Sequence, residues 1–487
     1  MNRTIAELEP KSLWGNFYQL TQIPRPSHHE QAVQNHVIGL GEQWGLEVIR
    51  DEHGNVIIRK PATKGMEQRA GVILQGHLDM VPQVNSGISH DFTKDPIKTV
   101  IEDDWVKSVN TTLGADNGIG VAAALAVLES KDIRHGPIEA LFTSNEEDGM
   151  TGAMGLKPGM LQGNILLNMD SEDEGVLSIC CAGGANVNTR LAYRSEHVES
   201  DMVCCQIAIS GLKGGHSGVD IHRGRGNANK LMFRLLRVAV ERFGVRLSKV
   251  QGGNMRNAIP REAFATVCVS EQLAPELVLF VDAFQAEIEG ELQQVEAGLT
   301  VTIGPADLPE GLIDLETQGR LIDALCACPH GVMRMSDVMP GMVETSNNLA
   351  VVRTLDHEIE ILNLVRSSVE SAKEELCLTI KGLFDLIGAV STIDGGYPGW
   401  KPNIESPILG RVKEAYQYCF NEEAEVGGIH AGLECGILGA NYPDWDMISF
   451  GPTIRFPHSP DARAHVPSVR RFWQLLVRTL SEMPESA

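Results

Sequence analysis

Five short stretches of this chain carry imidazoles and carboxylates to the ends of apolar segments. The first is Val72-Ile73-Leu74-Gln75-Gly76-His77-Leu78-Asp79-Met80. Side chains two apart on a strand share a face, so His77 and Asp79 point the same way where the strand opens into a loop, as a metal ligand and its supporting acid do. An isolated HxD equally describes a buried strand with a polar end, and the other stretches shift the balance. Gly114-Ala115-Asp116-Asn117-Gly118 sets Asp116 immediately before an apolar helix. Asn145-Glu146-Glu147-Asp148 follows the strand 138–143, Asn168-Met169-Asp170 ends another, and Phe456-Pro457-His458-Ser459-Pro460-Asp461 supplies a histidine from a rigid turn. Neighbouring side chains on extended backbone face apart, so Glu147 can hold a metal while Glu146 faces the water beside it. Burying Asp170 is costly without a cation. The charges of Asp116, Glu147 and Asp170 balance two divalent ions and one hydroxide, with His77 and His458 neutral. Such donors suit two zinc ions, or manganese or cobalt, if one carboxylate bridges. The chemistry is hydrolysis: paired ions acidify a water and polarise a carbonyl, and Glu146 moves the proton.

Other chemistries fit less well. The glycines around Asp116 match neither GxGxxG nor GxxxxGK[ST], which leaves a phosphate cradle weak. A two-metal phosphoesterase lacks a basic phosphate clamp. A non-catalytic metal-binding protein has no use for Glu146. Cys326-Ala327-Cys328-Pro329-His330 lacks the second ligand pair of a soft-metal site. A net charge of -23 opposes binding to nucleic acid or an anionic membrane. The cysteines show no disulfide rhythm, and the first residues show no apolar signal segment, so reduced thiols in the cytoplasm are expected.

The elements that must position these residues alternate between strand and helix, as in a covered α/β sheet. Helical spacing covers 11–20 and 29–44, with Ser27 as the expected N-cap of the second. A hairpin spans 46–59, the central strand 72–79, an alanine-rich helix 118–130, and the C-terminal amphipathic helix 469–483. Near residue 185 the pattern changes to β-α-β-β-α-β, and it returns to the earlier character after the turn-rich segment 394–399. With 487 residues the chain exceeds one core. The expected architecture is a discontinuous α/β catalytic domain with a mixed sheet, 1–186 and 398–487, interrupted by an inserted α+β lid domain, 187–397.

The ordered set of motifs resembles the metal motifs of the co-catalytic zinc peptidase superfamily that includes carboxypeptidase G and aminoacylase. The resemblance runs nearly end to end. It implies Asp116 as the bridging ligand, with His77 and Asp170 on one ion and Glu147 and His458 on the other. Asp79 would orient His77, and Glu146 would be general base and then acid. A cis peptide would follow Asp116. In the lid, Gly214-Gly215-His216-Ser217-Gly218 resembles the motif that binds the oxyanion through His216, within the chain or across a dimer. Asn257 and Arg366 resemble residues that hold the substrate carboxylate, and Gly432-Leu433-Glu434-Cys435-Gly436 resembles a substrate loop; alone, Arg366 reads equally as an ion-pair partner and the loop as a tight turn. The function implied is a homodimeric cytoplasmic dipeptidase cleaving small unblocked peptides of the Xaa-His type, carnosine included. A tripeptidase or an N-acyl-amino-acid deacylase on the same scaffold is the alternative.

Overall fold

The computed structural model describes residues 4–486. The chain divides into two compact units. One comprises Met1–Cys181, Trp400–Gly428 and Leu433–Ala487; the other comprises Ala182–Gly399 with Ile429–Gly432. The breaks between them fall at Cys181/Ala182 and Gly399/Trp400. The short return of Ile429–Gly432 to the second unit had no counterpart in the sequence pattern, because only tertiary packing places four residues apart from their neighbours.

The first unit is built on an eight-stranded sheet. Its strands are β1 (Glu47–Arg50), β2 (Val56–Lys60), β3 (Val72–His77), β4 (Ile138–Thr143), β5 (Ile165–Asn168), β6 (Val176–Cys181), β7 (Glu425–Ile429) and β8 (Asp446–Ser449). They lie in the order β1-β2-β4-β3-β5-β8-β6-β7. β3 is parallel to both β4 and β5, and β8 is parallel to β5. β3 and β4 are buried at every residue, which explains their unbroken apolar runs. Register sets His77 opposite Thr143 and Gln75 opposite Asn168, so the carboxyl ends of three parallel strands reach the same edge. That edge is where open α/β sheets place their ligands. The helix Ala115–Glu129 is apolar nearly all round and correspondingly buried. The C-terminal helix Val466–Ser481 buries Val469, Phe472, Leu475, Leu476 and Leu480, one face at three- and four-residue spacing. A small four-stranded sheet joins Thr99–Glu102 and Trp105–Ser108 to Arg463–His465 and Ile454–Arg455, anchoring the turn that carries His458.

The second unit is a nine-stranded antiparallel sheet with the helices Ala228–Phe243, Ala274–Leu292, Leu315–Ala327 and Glu370–Asp385. Its core includes Ile207, Leu236, Val267, Phe284, Ile361 and Phe384.

Several local expectations are corrected. The second helix begins at Gln31 with Glu30 at its N-cap position, and Ser27 caps nothing: its hydroxyl donates to Asp79 Oδ2 at 2.8 Å. The helix expected from 118 begins at Ala115, with non-helical backbone at Asp116 and Asn117. The expected turn at 394–399 is largely strand, since Val390–Tyr397 pairs with Gly183–Ala192 through an irregularity between Asp394 and Tyr397. The cysteines are not all thiols, because Cys204 and Cys268 form a disulfide. These residues stand directly opposite on antiparallel strands, with Cα atoms 4.1 Å apart and 64 residues between them in the chain. Sequence spacing carries no trace of such a pairing, which register alone creates.

Candidate metal centre

Each predicted ligand stands at the edge of the eight-stranded sheet for a local reason. β3 ends on His77, and Asp79 follows in the loop, its Oδ1 3.3 Å from His77 Nδ1. Asp79 is fully buried and accepts the backbone N–H of Glu146 at 3.0 Å and of Glu147 at 3.1 Å, besides the Ser27 hydroxyl. One carboxylate therefore ties the imidazole of β3 to the turn after β4. Burial works to raise the Asp79 pKa, yet His77, the Glu146 amide and Ser27 hold it at about 2. The turn after β4 is made by Asn145, whose φ of +55° is left-handed, a conformation asparagine accepts more readily than most residues. Its side-chain amide donates to Asp148 O at 3.1 Å and Thr151 Oγ1 at 2.9 Å, which closes the turn that presents Glu146 and Glu147.

Asp116 lies between two groups of side chains. Its Oδ1 is 2.9 Å from His77 Nε2, which is also 3.3 Å from Asp170 Oδ1. Its Oδ2 is 3.2 Å from His458 Nε2, which is 3.1 Å from Glu147 Oε2. The donor atoms of His77, Asp116 and Asp170 lie within 4.8 Å of one another, and so do those of Asp116, Glu147 and His458. A third such group joins His77, Glu146 and Glu147. The Asp116-Asn117 peptide is cis. Asn117 donates from Nδ2 to Met169 O at 2.7 Å, tying the start of the helix to the loop that carries Asp170.

The electrostatics follow from packing so many acids together. Burial raises the Asp170 carboxyl to about 7 against the pull of His77, and it raises Glu147 with the help of Asp116. Burial, opposed by His77 and reinforced by Asp170, Glu147 and Glu434, holds Glu146 well above the ordinary range. Hydrogen bonding to Asp116 and Glu147 lifts His458 to about 11. A buried oxygen of Glu147, Oε1, finds no hydrogen-bond partner. Buried carboxylates that crowd two imidazoles and leave an oxygen unpaired fit divalent cations in donor chemistry.

The predicted residues of the second unit also gather. Arg366 is buried, and its guanidinium donates to Tyr397 Oη at 3.0 Å and Ser217 Oγ at 3.3 Å, with His216 Nε2 at 3.4 Å. Ser217 N donates to Asn257 O at 2.8 Å. Among the described residues no carboxylate pairs with Arg366, so it is not a surface ion-pair partner.

Sequence reading missed Arg25. It is fully buried, donating from Nη1 to Leu78 O at 2.8 Å and Asp79 O at 2.9 Å, and from Nη2 to Gly114 O. It thus clamps the loop after His77 to the turn before Asp116. Burial lowers its pKa to about 10, although Asp79, Asp116 and Glu147 act to raise it. An arginine between two prolines, in Pro24-Arg25-Pro26, was the available signal. In the sequence, Glu434 stands out only as part of a glycine-containing loop. It is fully buried, and burial raises its carboxyl to about 8.

Two donor groups sharing one aspartate, with a glutamate beside them, define a metal-dependent hydrolase. The chain belongs to peptidase family M20/M25/M40, whose sequence model matches residues 73–482. It is 45% identical over 480 residues to the cytosol non-specific dipeptidase of Escherichia coli K12, covering 99% of each protein. Its structure is similar to that of an aminoacylhistidine dipeptidase from Vibrio alginolyticus, with a TM-score of 0.92 and 44% identity over 100% of this chain and 99% of that one. The aminopeptidase PepT of Bacillus cereus shares the fold at a TM-score of 0.57 and 16% identity, over 98% and 99% of the two chains.

Proposed function

We propose that this chain is a metal-dependent dipeptidase that cleaves short unblocked dipeptides, with Xaa-His substrates such as carnosine among them. The observation that carries the reading is Asp116, whose two oxygens each face one imidazole–carboxylate group while Glu146 stands beside both. Full-length identity to the Escherichia coli and Vibrio dipeptidases supports the substrate class.

His77, Asp116 and Asp170 would hold one ion and Asp116, Glu147 and His458 the other: zinc, with manganese or cobalt as alternatives. Bound there, the ions supply Lewis acidity toward water and the scissile carbonyl. Glu146 takes the proton of the attacking water and returns it to the leaving amine, and its raised pKa suits both directions of transfer. Asp79 fixes the His77 ring through Nδ1 and, through two backbone amides, the turn that carries Glu146. In the second unit, the imidazole of His216 stabilises the oxyanion, and Arg366 with Asn257 holds the substrate carboxylate; a fork with no competing carboxylate is suited to that task. The enzyme works as a homodimer, and in the cytoplasm, the latter in keeping with the cytosolic Escherichia coli relative. Among the described residues no helix is long and apolar enough to cross a membrane.

The test is histidine release from carnosine by metal-stripped protein with zinc, manganese or cobalt added back. Tripeptide and acetyl-amino-acid substrates are run in parallel. Restored cleavage of the dipeptide alone supports the reading; preference for the tripeptide or the blocked amino acid overturns it.

A further inference from the structure

A second polar layer lies one step down the strands from the ligands. Gln75 is two residues before His77 and Asn168 two before Asp170, and the two stand opposite each other in the β3–β5 register. Both are fully buried, as are Thr143, Ser449 and Glu434. Glu434 Oε2 accepts from Gln75 Nε2 at 2.6 Å and from Thr143 Oγ1 at 2.6 Å. Gln75 Oε1 in turn accepts from Asn168 Nδ2 at 2.5 Å. Asn168 Oδ1 accepts from the Ser449 hydroxyl at 2.5 Å and from the backbone N–H of Asp170 at 3.2 Å. The chain therefore runs in one direction, from the amide of a ligand residue to one carboxyl oxygen.

That direction has a physical cause. Each carboxamide in the series has one donating and one accepting end, and the groups at the two ends of the series, Glu434 Oε2 and the Asp170 N–H, decide which way both point. Glu434 Oε2 accepts from both Gln75 and Thr143, while Oε1 has no partner. Reversing Gln75 would set its oxygen against Oε2, and reversing Asn168 would turn an NH2 group on the Asp170 amide. Glu434 begins the helix Glu434–Asn441, so its backbone is anchored independently of the strands it ties together.

We propose that Glu434 is a positioning residue for the metal centre, acting through Gln75 and Asn168 on Asp170 and through Thr143 on the strand that leads to Glu146 and Glu147. It touches neither substrate nor metal. This inference rests on the proposed dipeptidase reading, and the test separates the two.

The variant is Glu434→Gln, which keeps the shape but offers an NH2 group as readily as an oxygen, so the Glu434 end no longer imposes a direction on the chain. Wild type and variant are loaded with cobalt(II) and compared by visible absorption, cobalt affinity and carnosine turnover. The variant is expected to lose about 10- to 100-fold in cobalt affinity or kcat, the size typical when a group supporting a ligand is removed. Its KM is expected to stay at the wild-type value, and its cobalt bands to shift at full loading. Wild-type bands, affinity and kcat in the variant overturn the proposal. A wild type that binds cobalt without cleaving carnosine overturns the dipeptidase reading, and the cobalt bands still decide the role of Glu434. Should far-UV circular dichroism show Glu434→Gln unfolded, Thr143→Val removes one donor to Oε2 and Thr143→Ser restores it. Shifted cobalt bands in the valine variant, recovered in the serine variant, sustain the proposal; unshifted bands in the valine variant overturn it.

Discussion

Asp79→Asn tests how much of the centre is held together before any cation binds. The asparagine keeps the shape of the aspartate and removes its charge. In the metal-free protein Asp79 has its pKa lowered from 3.8 to about 2, a shift worth about 2 kcal/mol of folding free energy at neutral pH. The sign follows from the depressed value. This stability is present above the unfolded pKa near 3.8 and is lost as the pH falls toward about 2. Because Asp79 is wholly buried, solvent screening does not reduce the contribution. Asparagine retains one accepting oxygen and turns an NH2 group on the second of two backbone amides, so the turn carrying Glu146 and Glu147 loosens as well. Urea unfolding of metal-free wild type and variant at pH 7 is expected to differ by about 2 kcal/mol, and the difference to shrink between pH 4 and pH 2. Zinc affinity is expected to fall by about 10- to 100-fold through loss of the His77 support. Equal unfolding midpoints at pH 7 together with unchanged zinc affinity would refute the role given to Asp79.

Glu146→Ala is expected to retain metal, measured by content after dialysis, while carnosine turnover falls by about 10²- to 10⁴-fold; unchanged turnover removes the assigned base. Gly76→Ala sets a Cβ 2.2 Å from Asn117 Oδ1, a side chain already tied to Met169 O, and thermal melting is expected to show a loss of about 1–3 kcal/mol. Burial holds His430 at about 3, so the folded protein keeps it neutral while the unfolded chain protonates near 6.5; between those values stability is expected to fall as the pH drops, by about 1.4 kcal/mol per unit from this group. His430→Asn should flatten the pH dependence of the denaturant midpoint over that range, and an unchanged slope counts against it.

How much of this was legible differs from residue to residue. The strands that lead to His77, Glu147 and Asp170 were readable from their local patterns, and parallel pairing brings their ends to one edge; Asp116, at a helix start, and His458, in a turn, reach them only through tertiary packing. The groups that hold them were not readable. Ser27 carries the local signature of a helix cap and instead spends its hydroxyl on Asp79, since the strand that brings Asp79 within reach is 52 residues away. Glu434 lies 359 residues from Gln75, and nothing near either residue announces their hydrogen bond.

The sequence by itself therefore determined where the apolar strands run and which carboxylates and imidazoles stand at their ends. Only the tertiary structure decided the partners: the two sides of Asp116, the buried clamp of Arg25, the direction of the amide chain ending on Glu434 and the Cys204–Cys268 pairing. Periodicity and turn chemistry act over a few residues and are written locally, whereas strand register and the satisfaction of buried polar groups are settled between segments far apart in the chain.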